Sequence, residues 1–209
     1  MNTPGGTELT LHLVRHGQSE WNLQGRLQGQ TAHPTLTPLG HEQAAAAAAW
    51  LSTRPVDSVL SSDLVRAVQT AAPIAAAHGL TAVTERRLRE QGMGRLEGLS
   101  SAAAFDATAG ADWSDPKIRL GGTDSESSWD VQQRVGTLIA ELLLGGPGTV
   151  VLVSHGDAIR IAAGWLAATT DAPERFEADQ LAVANGSIIT ARLSAGVLQT
   201  LATTVVGPG

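Results

Sequence analysis

The sequence predicts an α/β protein, a three-layer α/β/α sandwich around a mostly parallel sheet with an antiparallel edge strand. Apolar runs of strand length, Leu11–Val14 and Thr149–Val153 the clearest, alternate along the chain with amphipathic stretches of helical period. Both strands stop at a His-Gly pair, His16-Gly17 and His155-Gly156, where a parallel sheet offers its carboxyl ends to ligands. The 209 residues suffice for one domain with a sizeable core, so residues 1–209 read as a single domain.

The elements follow in order. The first strand breaks at Arg15-His16-Gly17 into a polar loop, with Gly17 allowing a sharp turn close to a ligand. Residues 17–36 hold Gly17, Gly25, Gly29 and Pro34 and read as a long loop with one helical turn near Glu20 to Leu23. Loops of that length in compact domains are usually functional. Thr37-Pro38 supplies an N-cap and a proline at the first helical position, opening a helix through alanines 44–49 to about Thr53. Val56 to Ser61 reads as the second strand. Asp63 then opens a helix to Gly79 with Pro73 as a candidate kink; its inward stripe, Leu64, Ala67, Val68, Ala71 and Ala72, would hold Arg66 near the sheet's carboxyl edge. Leu80 to Thr84 is the third strand, and Arg86, Arg87 and Arg89 read as a solvated charged face. Residues 99–128, with Asp112-Trp113, Asp115-Pro116 and Gly121-Gly122, read as a short helix and an irregular excursion over the cleft that selects substrate. A helix from about Ser127 to Leu144 stops at Gly145-Gly146-Pro147. The strand bearing His155, a helix to about Ala168 and a helix or turn after Pro173 come next. Strands near 187–194 and 197–205 close the chain as a hairpin about Ser194-Ala195-Gly196.

Composition narrows the function classes. The 14 Lys plus Arg against 20 Asp plus Glu give a formal charge of −6, which argues against a nucleic-acid partner held by a general basic field. Lys117 is the single lysine; the other cations are arginines, suited to bidentate recognition of phosphate or carboxylate. With no cysteine there is neither a disulfide framework nor a thiolate nucleophile. No apolar run approaches the roughly 20 residues that span a bilayer, and no signal segment opens the chain. A cytoplasmic chain with no membrane partner is therefore expected. A homodimer through an edge strand or exposed helix is compatible with the sequence, though no feature establishes it.

Leu13-Val-Arg-His-Gly-Gln-Ser-Glu-Trp-Asn22 resembles the signature of the histidine phosphatase superfamily, in its phosphoglycerate-mutase-like branch. The likeness continues in order through Gln28-Gly29, Leu36-Thr37 with Gly40, Ser61-Ser62-Asp63-Leu64 with Arg66-Ala67 and Gln69-Thr70, and Leu88 with Glu90. Gly94 with Glu97-Gly98, Glu126-Ser127, Val153-Ser154-His155-Gly156 and Asn185 with Ser187 complete it. Three departures stand out: Ala32-His33 with one extra residue before Leu36-Thr37, Asp157 where glycine is common, and Leu96 in place of a frequent Trp.

What the resemblance implies is a two-step phosphoryl transfer through a phosphohistidine on His16. Arg15, Arg66 and His155 would surround the nonbridging oxygens, with Asn22 nearby, Gln28 and Gly29 at the pocket wall and Gly156 on the phosphate. Glu90 would be the general acid and base, and Glu97 structural; the plainer role for Glu90 is to pair with Arg86 or Arg89. The implied reaction needs no cofactor and no metal, and the implied partner is a small phosphorylated metabolite. Hydrolysis is favoured over a phosphoglycerate-type mutase because the excursion is short, with Lys117 and Arg119 its only cations. A zinc-dependent hydrolase built on two His and a Glu is the other alternative, disfavoured by the arginines crowding those ligands.

Overall fold

The alternation of apolar side chains in β1 (Glu8–Arg15) is resolved by a sheet with helices on both faces. The computed structural model describes residues 8–168 and 183–207. Leu9, Leu11 and Leu13 point to a layer made by α5 (Ser128–Leu144) and α6 (Gly156–Ala168), where Val131, Val135, Ile139, Ile159 and Leu166 meet them. Val14, with Val151 and Val153 of β4 (Gly148–Ser154), points the other way, onto α2 (Pro38–Ser52) and α3 (Val65–Ala77). Burying a side chain of this size stabilises by about 1.5–3 kcal/mol, so the two layers fix the register of β1 from both sides.

Among the described residues the sheet has six strands, ordered β3-β2-β4-β1-β5-β6, with β2 at Ser58–Ser61, β3 at Val83–Thr84, β5 at Ile188–Ser194 and β6 at Val197–Thr204. β1 runs parallel to β4 and β4 parallel to β2, while β5 and β6 form the expected antiparallel hairpin beside β1. The antiparallel edge is thus two strands wide. The register pairs Arg15 with Ser154, so the residues that follow, His16 and His155, leave the sheet side by side.

Thr37 is the N-cap expected of it, accepting from the Gly40 N–H above Pro38, and Ser127 opens its helix with a capping box to Asp130; Ser19 forms another with Asn22 at the short helix α1 (Glu20–Leu23). A short helix, α4 (Ser101–Ala107), opens the excursion as expected, and the chain to Ser127 is turns and irregular backbone.

Five expectations are corrected. The third strand shrinks to Val83–Thr84, an edge pairing only with Leu60 and Ser61, and β2 begins at Ser58 rather than Val56. α3 begins at Val65 because Asp63 turns its carboxylate to Arg89 instead of capping the helix. With that phase its buried stripe is Ala67, Thr70, Ala71, Ile74 and Ala75, while Val68 and Ala72 face outward; Pro73 sits inside the helix without ending it. Of the arginine run, only Arg86 is exposed. Arg87 bridges Glu85 and Glu141, and Arg89 grips Asp63 through two bonds of 2.6 Å. The helix or turn expected after Pro173 lies outside the described residues. No helix among the described residues is long and apolar enough to cross a membrane.

Candidate active site

The end of β1 is where the backbone leaves the sheet at closest quarters. His16 N–H donates to the Ser154 carbonyl at 3.0 Å, and the next residue tucks against the start of α2. A Cβ on Gly17 would lie 2.2 Å from the Gly40 carbonyl oxygen, and one on Gly40 would lie 2.1 Å from that of Gln18, so only two glycines allow this contact. The Gly17 N–H is taken by Thr70 Oγ1 at 3.1 Å, and the His16 carbonyl accepts from Asn185 Nδ2 at 3.1 Å. The imidazole of His16 is held on both backbone flanks.

The two histidines carry complementary hydrogen bonds. His16 Nδ1 lies 2.7 Å from the Gly17 carbonyl oxygen, which can only accept, so the proton sits on Nδ1 and the lone pair on Nε2. His155 Nε2 lies 2.9 Å from Ser62 Oγ, and its Nδ1 is buried with no partner. The rings are 5.0 Å apart, centroid to centroid. Burial, reinforced by Arg66 and Arg15, holds the pKa of both imidazoles well below the ordinary histidine value, so both are neutral at pH 7.

Arg66 is wholly buried, and its terminal nitrogens are spent on the carbonyls of Thr31 at 2.9 Å and Gly29 at 2.8 Å. Gly29 makes this possible by taking a left-handed φ of 48°, where a Cβ would also fall 2.2 Å from Glu97 Oε1. Burial lowers the Arg66 pKa to about 10, which leaves the guanidinium charged at neutral pH. Arg15 donates from Nη1 to the Val183 carbonyl at 2.5 Å. Among the described residues four buried side-chain nitrogens or oxygens lack a partner; His78 Nε2 is one, and the others are Arg15 Nε, Arg66 Nε and His155 Nδ1. Leaving a buried donor unpaired costs about 1–3 kcal/mol, so the two guanidinium N–H groups, with the His155 nitrogen beside them, mark a site suited to acceptor oxygens it does not itself supply.

Glu90 completes the pocket. Its carboxylate accepts from the backbone N–H groups of Gln91 at 3.0 Å, Ala158 at 3.1 Å and Asp157 at 3.3 Å, at the N-terminus of α6. Burial, with the charge of Asp157 adding to it, nevertheless raises its pKa above the usual carboxylate value. The plainer role of pairing with Arg86 or Arg89 is not realised, since Arg89 holds Asp63. Behind it, Arg134 Nη2 and Gln30 Nε2 both donate to the Glu90 carbonyl, at 2.9 and 3.1 Å. Arg15, Glu90, Gly156, Asp157, Arg160 and Val183 line a hollow of about 200 Å³. Gly156 opens α6, and its ideal Cβ would stand 3.4 Å from Arg15 Cζ.

The structure thus brings His16, Arg15, Arg66, His155, Glu90 and Gly156 to one end of the sheet. Asn22 and Gln28 lie one layer back: the Asn22 amide oxygen accepts from Ser19 N–H and from Asn185, and the Gln28 amide oxygen accepts from Ser19 Oγ at 2.8 Å. Glu97 ties Gln30, Thr31 and Met93 together, as expected of a structural residue. The extra residue of the 30–36 loop is absorbed at the surface, where His33 is exposed and packs on Trp21. Sequence reasoning gave no role to Ser62, Thr70 or Asn185. Thr70 follows Arg66 by four residues and so shares its helix face, a signal that was available; Asn185, 169 positions from His16, was marked by the family likeness alone, with no local pattern to give it a role. No three His, Asp or Glu side chains among the described residues are grouped so as to hold a metal ion.

An α/β sheet whose carboxyl edge carries a neutral buried imidazole with unpartnered guanidinium and imidazole nitrogens is suited to an anionic ligand. The chain belongs to the histidine phosphatase superfamily (branch 1), whose sequence profile matches residues 11–202. It is 35% identical over 187 residues to a probable phosphoglycerate mutase of Enterobacter sp. (strain 638), covering 86% of this chain and 83% of that one. Two solved structures share the fold. A mycobacterial glucosyl-3-phosphoglycerate phosphatase in complex with VO3 superposes with a TM-score of 0.78 at 31% identity, over 92% of this chain and 96% of the other. A mutant phosphoserine phosphatase of Entamoeba histolytica, in complex with phosphoserine, does so at 0.73 and 27%, over 92% and 96%.

Proposed function

We propose that the protein is a phosphatase that hydrolyses a small phosphomonoester in two steps through a phosphohistidine on His16. The observation that carries the reading is the pairing of a free His16 Nε2 lone pair with three buried, unpartnered nitrogens, Arg15 Nε, Arg66 Nε and His155 Nδ1. In the first step Nε2 attacks phosphorus, the P–O bond to the alcohol breaks, and Glu90 gives its proton to the departing oxygen. In the second, the Glu90 carboxylate takes a proton from water, whose oxygen attacks phosphorus as the P–N bond breaks. Inorganic phosphate leaves and the starting state returns. The donors hold the three equatorial oxygens in both steps, so positioning and charge supply most of the acceleration.

Hydrolysis is favoured over transfer back to substrate by the state of the excursion's cations. Lys117 Nζ stands 5.5 Å from the centre of the Trp129 ring, and Arg119 is bonded to Asp130 and to the Ser125 carbonyl, so both are engaged away from the pocket. The test is direct. Purified protein should release inorganic phosphate from phosphomonoesters with no bisphosphate added, and mass spectrometry of an acid-sensitive adduct should locate phosphate on His16. His16→Ala should lose both signals. Isomerisation of phosphoglycerate without phosphate release would establish the mutase instead, and phosphate trapped on another residue would overturn the mechanism.

A further inference from the structure

Beside the hollow lined by Arg15 and Glu90 lies a larger one of about 450 Å³, and Asp157 and Arg160 border both. If phosphorus sits at His16, the alcohol must leave past Glu90, because the acid has to reach the departing oxygen. Glu90 opens onto the side where Asp157 and Arg160 stand, so the larger hollow is where the alcohol lies. Its far wall is the excursion, with Trp113, Ile118 and Leu120, and its near wall is α6 with Ile161 and Trp165. The Trp113 indole is 59% exposed and borders the hollow, so its face is open to a ligand there.

The charges along this wall are one-sided. Among the described lining residues Arg160 is the single cation, and it is held by Asp157 at 2.6 Å. Asp115 and Asp157 supply two carboxylates, and Gln91 and Gln132 supply neutral amides. Asp157 and Arg160 neutralise each other, so a leaving group bearing a carboxylate would meet the uncompensated charge of Asp115 and a cation already paired, an arrangement that costs rather than binds. Hydroxyl groups fit it: they donate to carboxylates and exchange hydrogen bonds with amides, while the C–H face of a saturated ring packs on indole.

We infer that the alcohol released is an uncharged, polyhydroxylated ring, making the substrate a sugar-type phosphomonoester, and that carboxylated triose phosphates are poor substrates. The inference rests on the phosphatase reading above and adds the leaving-group chemistry to it.

The test compares kcat/KM of the full-length protein for hexose 1- and 6-phosphates, glycerol 2-phosphate and 3-phosphoglycerate. The better hexose phosphate should exceed 3-phosphoglycerate by about tenfold or more, the scale of a few pocket contacts. Trp113→Ala should lower the hexose-to-glycerol phosphate ratio about tenfold, mostly through KM for the hexose ester, and Asp115→Asn should narrow the gap to 3-phosphoglycerate several-fold. Both side chains are exposed, so folding should survive the changes. A preference for 3-phosphoglycerate, or a Trp113→Ala protein slowed equally on every ester, would overturn the inference while leaving the phosphatase standing. Turnover of no ester at all would bring down both.

Discussion

At the residue scale the site depends on where single protons sit. In the proposed transfer His16 must be neutral to attack, and its depressed pKa keeps it so through and below pH 6.5; Glu90 must be protonated to act, and its raised pKa extends that form upward in pH. With an alkyl phosphate as substrate, kcat/KM should therefore fall on the alkaline side as Glu90 loses its proton. Glu90→Gln should cost about 10²- to 10⁴-fold and abolish that limb, and an unaltered alkaline limb would place the acid elsewhere. Ser62 sets the second proton. Its hydroxyl can give its hydrogen to His155 Nε2, which leaves Nδ1 as the N–H directed at phosphate. Ser62→Ala should lower kcat about tenfold and shift the His155 ring in ¹⁵N spectra toward the other tautomer, whereas Ser62→Thr should restore both. The residues whose type announces charge or nucleophilicity, His16, Arg15, Arg66, His155 and Glu90, were legible. Ser62 and Asn185 were not, because a hydroxyl or amide acquires a role only from what folding sets beside it.

At the element scale, legibility followed local chemistry. Caps at Thr37 and Ser127, the Ser194-Ala195-Gly196 turn and the strand-His-Gly endings are written within a few residues, and each appears where the sequence placed it. The start of α3 did not, since Asp63 was claimed by Arg89, 26 positions away, and the third strand lost its first residues for want of a partner beyond β2. The contact that seats the catalytic loop on α2 is of the same non-local kind. Gly40 has no unusual backbone requirement, yet a methyl there would drive into the Gln18 backbone, which no side-chain rotation relieves. Gly40→Ala should destabilise by about 1–3 kcal/mol and lower kcat as well, because the 17–19 loop must move and His16 with it. Urea denaturation and phosphate release on one preparation check both; loss of stability with kcat intact would show that loop and imidazole move independently.

At the scale of the whole molecule, burying imidazoles couples the fold to pH. His12, His16 and His155 are all buried, and each is shifted toward the neutral form, His12 to about 4 by burial and the charges of Arg54 and Arg192. In the unfolded chain their pKa returns to about 6.5, so unfolding near pH 5 takes up three protons. Glu90 works in the opposite sense, since its raised carboxyl holds a proton when folded and releases it on unfolding above about pH 4.5. Three histidine protons outnumber the one carboxyl proton, so protons are bound net on unfolding, and stability that is fully present above pH 6.5 should fall by roughly 1.4 kcal/mol per pH unit for each net proton through the window between about 6 and 5. The carboxylates held low by partners, Asp63 by Arg89 and Glu85 by Arg87, lose their contribution only below that window. Urea titrations at pH 7, 6 and 5 in phosphate-free buffer read the slope. Replacing His12, which lies outside the active site, by Asn should remove about one proton from it. A midpoint that stays level from pH 7 to pH 5 would mean that the folded protein carries charged imidazoles, and with them a His16 unable to attack phosphorus at neutral pH.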